Sequence, residues 1–401
     1  MGNFELMKEL KIAGVGKIVL VLLDGLGGLP MHKGGATELE AARTPNLDAL
    51  AAEGICGLHI PIAPGITPGS GPSHLAVFGY DPRIYSIGRG VLESVGIGFP
   101  LERQDVAARG NFCSLDEQGQ ITDRRAGRIA TELNRELCAL LRSVDLPGVD
   151  IFVETVKEHR FILVLRGEGL SGDLTETDPQ RLGVSPLSVN AMSPEAERTA
   201  NLVNDFIEQA RMLLHDQHPA NMMLLRGFSK WPDIPSMQEV FGLNPASIAV
   251  YPMYRGVARL VGMEPLETGP SISDEFDVLE QHFEDHDFFY LHVKKTDSAG
   301  EDGDFDRKVA LIEETDAQIP RLMALEPDVV IVTGDHSTPS LLKAHSWHPV
   351  PVLIRSQRSG LDNVTVFSER ACASGALGQF PAIDIMPIAL ANAMRLGKYG
   401  A

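Results

Sequence analysis

What most constrains this chain is a set of short apolar runs, each closed off by a charge or a glycine. Ile18 to Leu23 lies between Lys17 and Asp24, Phe288 to Val293 between Asp287 and Lys294, and Val329 to Thr333 between Asp328 and Gly334. Runs this short, apolar throughout rather than alternating, read as strands covered on both faces. Helical signals lie between them: Thr44-Pro45 starts a helix that Gly54 ends, and Phe305 to Leu325 carries Phe305, Val309, Ile312 and Ile319 at helical spacing. Strands alternating with helices predict an α/β fold with a mainly parallel sheet. No run approaches the roughly 18–20 apolar residues that cross a bilayer.

The middle of the chain has its own pattern. Short strands are expected over Asp150 to Val156 and Phe161 to Leu165. A long helix follows, with Ser193 as N-cap, Pro194 at N1, and Ala196, Ala200, Val203, Ile207, Ala210 and Leu214 on one face. From about residue 246 the strand-then-helix pattern resumes, so this middle segment reads as an inserted second domain. A chain of 401 residues accommodates two domains, and 44% hydrophobic with 22% charged residues excludes disorder.

Three of the expected strands run into acids, Asp24, Asp297 and Asp335. In open parallel sheets ligands bind at the carboxyl ends of strands, where acids distant in sequence converge. Taken singly, Asp24-Gly25 and Gly334-Asp335 are equally the signature of plain turns. Histidines favour the site: His336 follows Asp335, and His345 and His348 lie just before the run Val350 to Ile354. Carboxylates and imidazoles without cysteine suit magnesium, manganese or zinc. The four cysteines, Cys56, Cys113, Cys138 and Cys372, form no CxxC pair and fit a reducing compartment. Asp297 and Glu301 face the same way if a helical turn joins them. Ser70, in Thr67-Pro-Gly-Ser-Gly-Pro-Ser-His74 ahead of a helical stretch, is a candidate nucleophile and also an ordinary N-cap choice.

Thirty-five basic against 54 acidic residues give a net charge of −19, which argues against nucleic acid and anionic membranes as partners. With no basic start leading into an apolar stretch at the N-terminus, a cytoplasmic, soluble protein is expected. Yet residues 99–228 hold thirteen arginines and a single lysine, densest in Asp123-Arg-Arg-Ala-Gly-Arg128. Arginine's planar fork suits carboxylates and phosphates.

Together, Val-Leu-Leu-Asp24-Gly-Leu-Gly, Thr-Pro-Gly-Ser70-Gly-Pro-Ser-His-Leu, Phe78-Gly-Tyr-Asp-Pro82, Asp123-Arg-Arg-Ala-Gly-Arg, Lys295-Thr-Asp-Ser-Ala-Gly and Thr333-Gly-Asp-His-Ser-Thr-Pro resemble the cofactor-independent phosphoglycerate mutases of the archaeal type, in the alkaline phosphatase superfamily. The resemblance runs from about residue 15 to 395. It implies an alkaline-phosphatase-like core of residues 1–98 and 246–401, and an inserted substrate-binding α/β domain, 99–245, that closes over glycerate. It implies two divalent metal ions: one held by Asp24, Ser70, Asp335 and His336, the other by Asp297, His345 and position 301. Ser70 would take the phosphoryl group from 3-phosphoglycerate and return it as 2-phosphoglycerate, with no 2,3-bisphosphoglycerate. Arg125, Arg128 and Arg226, then Asp123, are the substrate-binding candidates. Two positions depart from the pattern. Glu301 stands where the family usually has histidine, which shifts preference towards manganese or magnesium, and Gly71 stands where many archaeal members have an acid. A phosphomonoester or phosphonate hydrolase on the same scaffold, or a binding protein with a degraded site, are the competing readings.

Overall fold

The computed structural model describes residues 4–85, 87–360 and 362–400. The chain divides into two compact units, residues 1–86 with 234–401, and residues 87–233. The sequence puts the junctions at 98/99 and 245/246. The contacts put them at 86/87 and 233/234, because the helix Arg89–Gly96 packs on strands of the second unit and Met237–Phe241 packs on the N-terminal helix Phe4–Leu10.

The strands in chain order are β1 (Ile18–Leu23), β2 (Ile55–Ile60), β3 (Val106–Leu115), β4 (Ile121–Asp123), β5 (Asp150–Lys157), β6 (Arg160–Arg166), β7 (Met222–Lys230), β8 (Pro245–Ala249), β9 (Glu264–Leu266), β10 (Phe288–Val293), β11 (Val329–Thr333), β12 (Val350–Ser356) and β13 (Gly378–Pro381). Eight of them form the sheet of the first unit in the order β13-β2-β12-β11-β1-β10-β8-β9. Every neighbouring pair is parallel except β11 with β12 and β12 with β2, so β12 alone runs against the rest. β1, β8, β10 and β11 are buried at every residue, as apolar runs covered on both faces should be. The helical stretch expected over 305–325 is two helices, Phe305–Asp316 and Ile319–Ala324. Pro320, which has no N–H to donate, sits in the first turn of the second.

The second unit is a five-stranded antiparallel sheet, β4-β3-β6-β5 with β7 on the other side of β3. The helices Thr131–Leu141 and Glu197–Leu214 bury Leu137, Leu141, Val203, Phe206 and Leu214 in a core with Phe112, Phe161 and Leu163. Among the described residues no helix is long and apolar enough to cross a membrane.

Candidate active site

β11, β1 and β10 lie side by side and parallel, with Leu22 level with Thr333 and Leu23 level with Val293. Their carboxyl ends therefore coincide, and Asp24, Asp297 and Asp335 gather there, all at most 1% exposed. Gly25 follows Asp24 with φ +66°, and a Cβ on it would lie 2.5 Å from Thr338 Oγ1 and 2.9 Å from Asp297 Oδ1, so only glycine lets the loops close this far. Asp297 is carried by the helix Lys295–Asp302. Gly300 on that helix lies so near the Thr338 carbonyl that a Cβ would be 2.2 Å from it.

Asp24, Asp335 and His336 present ligand atoms within 4.8 Å of one another, and so do Asp297, His336 and His345. His336 thus offers an atom to both groups. Its ring lies 3.7 Å from that of His345, whose Nδ1 is 3.0 Å from the Pro68 carbonyl. Ser70 opens the helix Ser70–Val77, and its Oγ is 3.3 Å from His336 Nε2. The helix start supplies free N–H groups and a positive dipole end, which favour an anion or phosphate there. Glu301 stands apart: its side chain is 54% exposed, and Oε1 is 3.8 Å from His345 Nε2.

The tautomer of His336 follows from its neighbours. The Thr338 hydroxyl lies 2.6 Å from Asp297 Oδ1, a carboxylate oxygen that can only accept, so its one proton goes there. His336 Nδ1, 3.0 Å from the same hydroxyl, must then donate. Burial lowers the His336 pKa despite the nearby Asp335 and Asp24 carboxylates, so the ring is neutral. Its Nε2 lone pair consequently faces Asp335 Oδ2 at 3.1 Å and Asp24 Oδ1 at 3.5 Å. Asp24 Oδ1 is itself buried without a hydrogen-bond partner. Lone pairs aimed at one another in a dry site repel unless a cation lies among them, so these residues fit a divalent ion.

Further side chains surround the site, and Lys294, His292 and Tyr254 among them have no signal of their own in the sequence. Lys294 Nζ reaches Asp24 Oδ2 at 3.3 Å and pairs closely with Asp297 Oδ2. His292 Nε2 is 3.1 Å from Asp24 Oδ2. Burial and Asp335 push the Asp24 carboxyl up, but Lys294 and His292 outweigh them and hold it below its usual range. The Ser73 hydroxyl donates to Asp335 Oδ2 at 2.9 Å, and His74 Nδ1 lies 3.1 Å from the same oxygen. Tyr254, 1% exposed, sets its ring 4.0 Å from that of His292. His348, by contrast, pairs with Ser346 outside both ligand groups.

The second unit presents its own constellation. Register pairs Arg109 with Arg226 across β3 and β7, and Asn111 with Arg160 across β3 and β6, so three arginines share one face of the sheet. Like charges directly opposite cost stability in a sheet. Glu93, 9% exposed, lies 3.5 Å from Arg109, and burial raises its pKa despite Arg109, Arg160 and Arg89. Arg226 contacts Glu176 at 3.0 Å and Asp178 at 3.5 Å. Asp123 accepts the backbone N–H groups of Arg125 and Gly127, and Arg125 and Arg128 stand exposed. Residues 126–128 all have positive φ, of 45°, 64° and 55°, an expensive conformation for alanine and arginine.

Acids and imidazoles thus gather at three parallel strand ends, around a serine at a helix start, as a donor set that fits divalent cations. A model of the 2,3-bisphosphoglycerate-independent phosphoglycerate mutase family matches residues 51–221. A Thermus thermophilus protein named "Probable 2,3-bisphosphoglycerate-independent phosphoglycerate mutase" is 50% identical over 406 aligned positions that cover 100% of both chains. An Aquifex aeolicus protein of the same name is 49% identical, covering 99% of this chain and 100% of that one. A solved protein structure from Pyrococcus horikoshii superposes with a TM-score of 0.83 at 29% identity, over 97% of this chain and 100% of that one. The cofactor-independent phosphoglycerate mutase from Thermoplasma acidophilum gives 0.74 at 31% identity, over 94% of this chain and 100% of that one. The chain belongs to the 2,3-bisphosphoglycerate-independent phosphoglycerate mutase family, and with it to the isomerases.

Proposed function

We propose that the chain interconverts 3-phosphoglycerate and 2-phosphoglycerate through a phosphoserine at Ser70, using an alkaline-phosphatase-like core and two divalent ions, in the cytoplasm. The observation that carries this is His336 Nε2 facing Asp24, Asp335 and the Ser70 hydroxyl at 3.1–3.5 Å. Asp24, Ser70, Asp335 and His336 would hold one ion, and Asp297 and His345, with Glu301 at the rim, the other. All-oxygen and imidazole donors suit manganese or magnesium, with zinc compatible. Such ions supply Lewis acidity that lowers a hydroxyl pKa and neutralises phosphoryl oxygens.

The chain's own groups do the rest. Ser70 Oγ attacks the phosphorus, the P–O bond to glycerate breaks, and the hydroxyl proton leaves with the glycerate oxygen. Lys294, between Asp24 and Asp297, offsets phosphoryl charge, and the N–H groups at the helix start receive it. The other glycerate hydroxyl then takes the phosphoryl group back. Arg125, Arg128 and Arg226, with Asp123 bracing their turn, would hold the substrate's carboxylate and phosphate. Arg109 and Arg160, on the same sheet face as Arg226, join them, since their mutual repulsion is relieved by a bound anion. Water must be kept out between the two half-reactions, or the phosphoserine is hydrolysed.

The test supplies manganese-loaded protein with 3-phosphoglycerate, without bisphosphoglycerate, and couples product to enolase. We expect 2-phosphoglycerate, and phosphate on Ser70 by mass spectrometry of the quenched enzyme. Free phosphate with no 2-phosphoglycerate would establish a hydrolase instead. Ser70→Ala should abolish turnover and labelling, whereas Glu301→Ala should lose most activity and regain part of it at high manganese.

A further inference from the structure

Lys308 lies on the helix Phe305–Asp316, next to Asp306 and Arg307 in the sequence, yet it is fully buried, on the face that also buries Leu311, Ile312 and Thr315. Its Nζ donates to three main-chain carbonyls: Gly25 at 2.9 Å, Thr338 at 3.0 Å and Gly27 at 3.2 Å. Three accepting carbonyls match the three N–H bonds of an ammonium, although burial pushes the lysine pKa down, an effect that the nearby Glu38 and Glu369 oppose. Glu38 Oε1 lies 3.8 Å away as counter-charge, and accepts the Ser340 N–H at 2.7 Å. Glu369 accepts from the Gly28 N–H and the Thr37 hydroxyl. Burying an ammonium is costly unless it is paired and fully hydrogen-bonded, and here it is both.

The carbonyls belong to the two loops that carry the catalytic acids. Gly25 and Gly27 immediately follow Asp24, and Thr338 follows His336 by two residues while its hydroxyl fixes the His336 tautomer and meets Asp297. Three carbonyls at 2.9–3.2 Å around one positive charge, with a carboxylate 3.8 Å away, are the kind of oxygen site that takes a potassium or ammonium ion. We propose that Lys308 is a tethered monovalent cation that clamps the Asp24 loop to the His336 loop, a positioning residue that sets the divalent-ion site from behind without touching substrate. It rests on the reading of Asp24, Asp297, Asp335 and His336 as ligands.

Removing the tether should convert a built-in cation into a requirement for an added one. In Lys308→Ala, titration calorimetry should find manganese binding weakened at least about tenfold, as for other groups that orient metal ligands. Added ammonium or methylammonium should restore most of it, while tetramethylammonium, too large for the shell, should not. Lys308→Met, similar in shape but uncharged, should show the loss with no rescue, because its side chain still fills the site. Unchanged manganese affinity in both variants overturns the proposal, and so does a loss in Lys308→Ala that no small cation reverses. Should neither variant fold, NMR of wild-type protein labelled with 15N-lysine decides: a slowly exchanging NH3+ at neutral pH supports the clamp, and an NH2 signal overturns it. A wild type that binds no manganese would instead sink the ligand reading on which the proposal rests.

Discussion

Thr338 has one hydroxyl proton, and where it goes decides which nitrogen of His336 can face a cation. Thr338→Val keeps the shape of the side chain and removes that proton and its acceptor. Manganese affinity should fall roughly 10- to 100-fold, the usual effect of losing a group that orients a metal ligand, with the melting temperature of the metal-free protein little changed. Equal affinity in the two proteins would show that the tautomer is set elsewhere. Glu275 makes the opposite kind of contribution. It is 3% exposed, its Oε2 has no partner, and burial raises its pKa from 4.5 to about 9. The unfolded chain releases this proton above pH 4.5 while the folded chain keeps it until about 9. The stability it contributes is therefore full below pH 4.5 and drains away as pH rises through that window. Glu275→Gln cannot titrate, so it should exceed the parent by on the order of 3 kcal/mol at pH 7 and by little near pH 4.5. Urea midpoints across that range check the sign; a parent more stable than the variant at pH 7 would refute it.

At the scale of elements, the helix Lys295–Asp302 illustrates how context reverses a general rule. Glycine to alanine inside a helix ordinarily stabilises by about 1 kcal/mol. Gly300→Ala should instead destabilise by about 1–3 kcal/mol, as overpacking does, and weaken manganese binding, because the new Cβ forces the Asp297 helix off the Thr338 carbonyl. A raised melting temperature would contradict this. The same elements bound what could be read from residues alone. β1, β10 and β11 were legible because unbroken apolar runs have few other uses, and the acids that follow them were legible because parallel strands end together. β3 was not, since Arg109, Gly110 and Asn111 interrupt it, and β7 was legible only as a strand-like run ending at Arg226 and Gly227, whereas the strand continues to Lys230. That interruption is the functional content: the arginines line one face only because a particular cross-strand register brings them level. Lys294, His292 and Lys308 were hidden for a related reason. A lysine beside other charges reads as surface, and only the packed loops reveal carbonyls and carboxylates waiting for it.

At the scale of the whole molecule, the two groups of candidate side chains belong to different compact units: the acids, histidines and Ser70 to residues 1–86 and 234–401, the clustered arginines to residues 87–233. Ion binding and substrate binding should then separate in mutants. Arg226→Ala should raise KM for phosphoglycerate and leave manganese affinity as in the wild type; a parallel loss of both would show that the units do not divide the work. The division also has a temporal side. β1, the centre of the large sheet, pairs with β10 and β11, so Ile18 finds its neighbours only at Phe288 and Val329. At about 5–20 residues per second of synthesis, that leaves roughly 15–60 s between the appearance of the first strand and its partners. Residues 87–233 are contiguous and complete long before then. A nascent chain of this protein should therefore emerge with its second unit already folded and with Ile-Val-Leu-Val-Leu-Leu still bare beside it, a natural target for ribosome-bound chaperones.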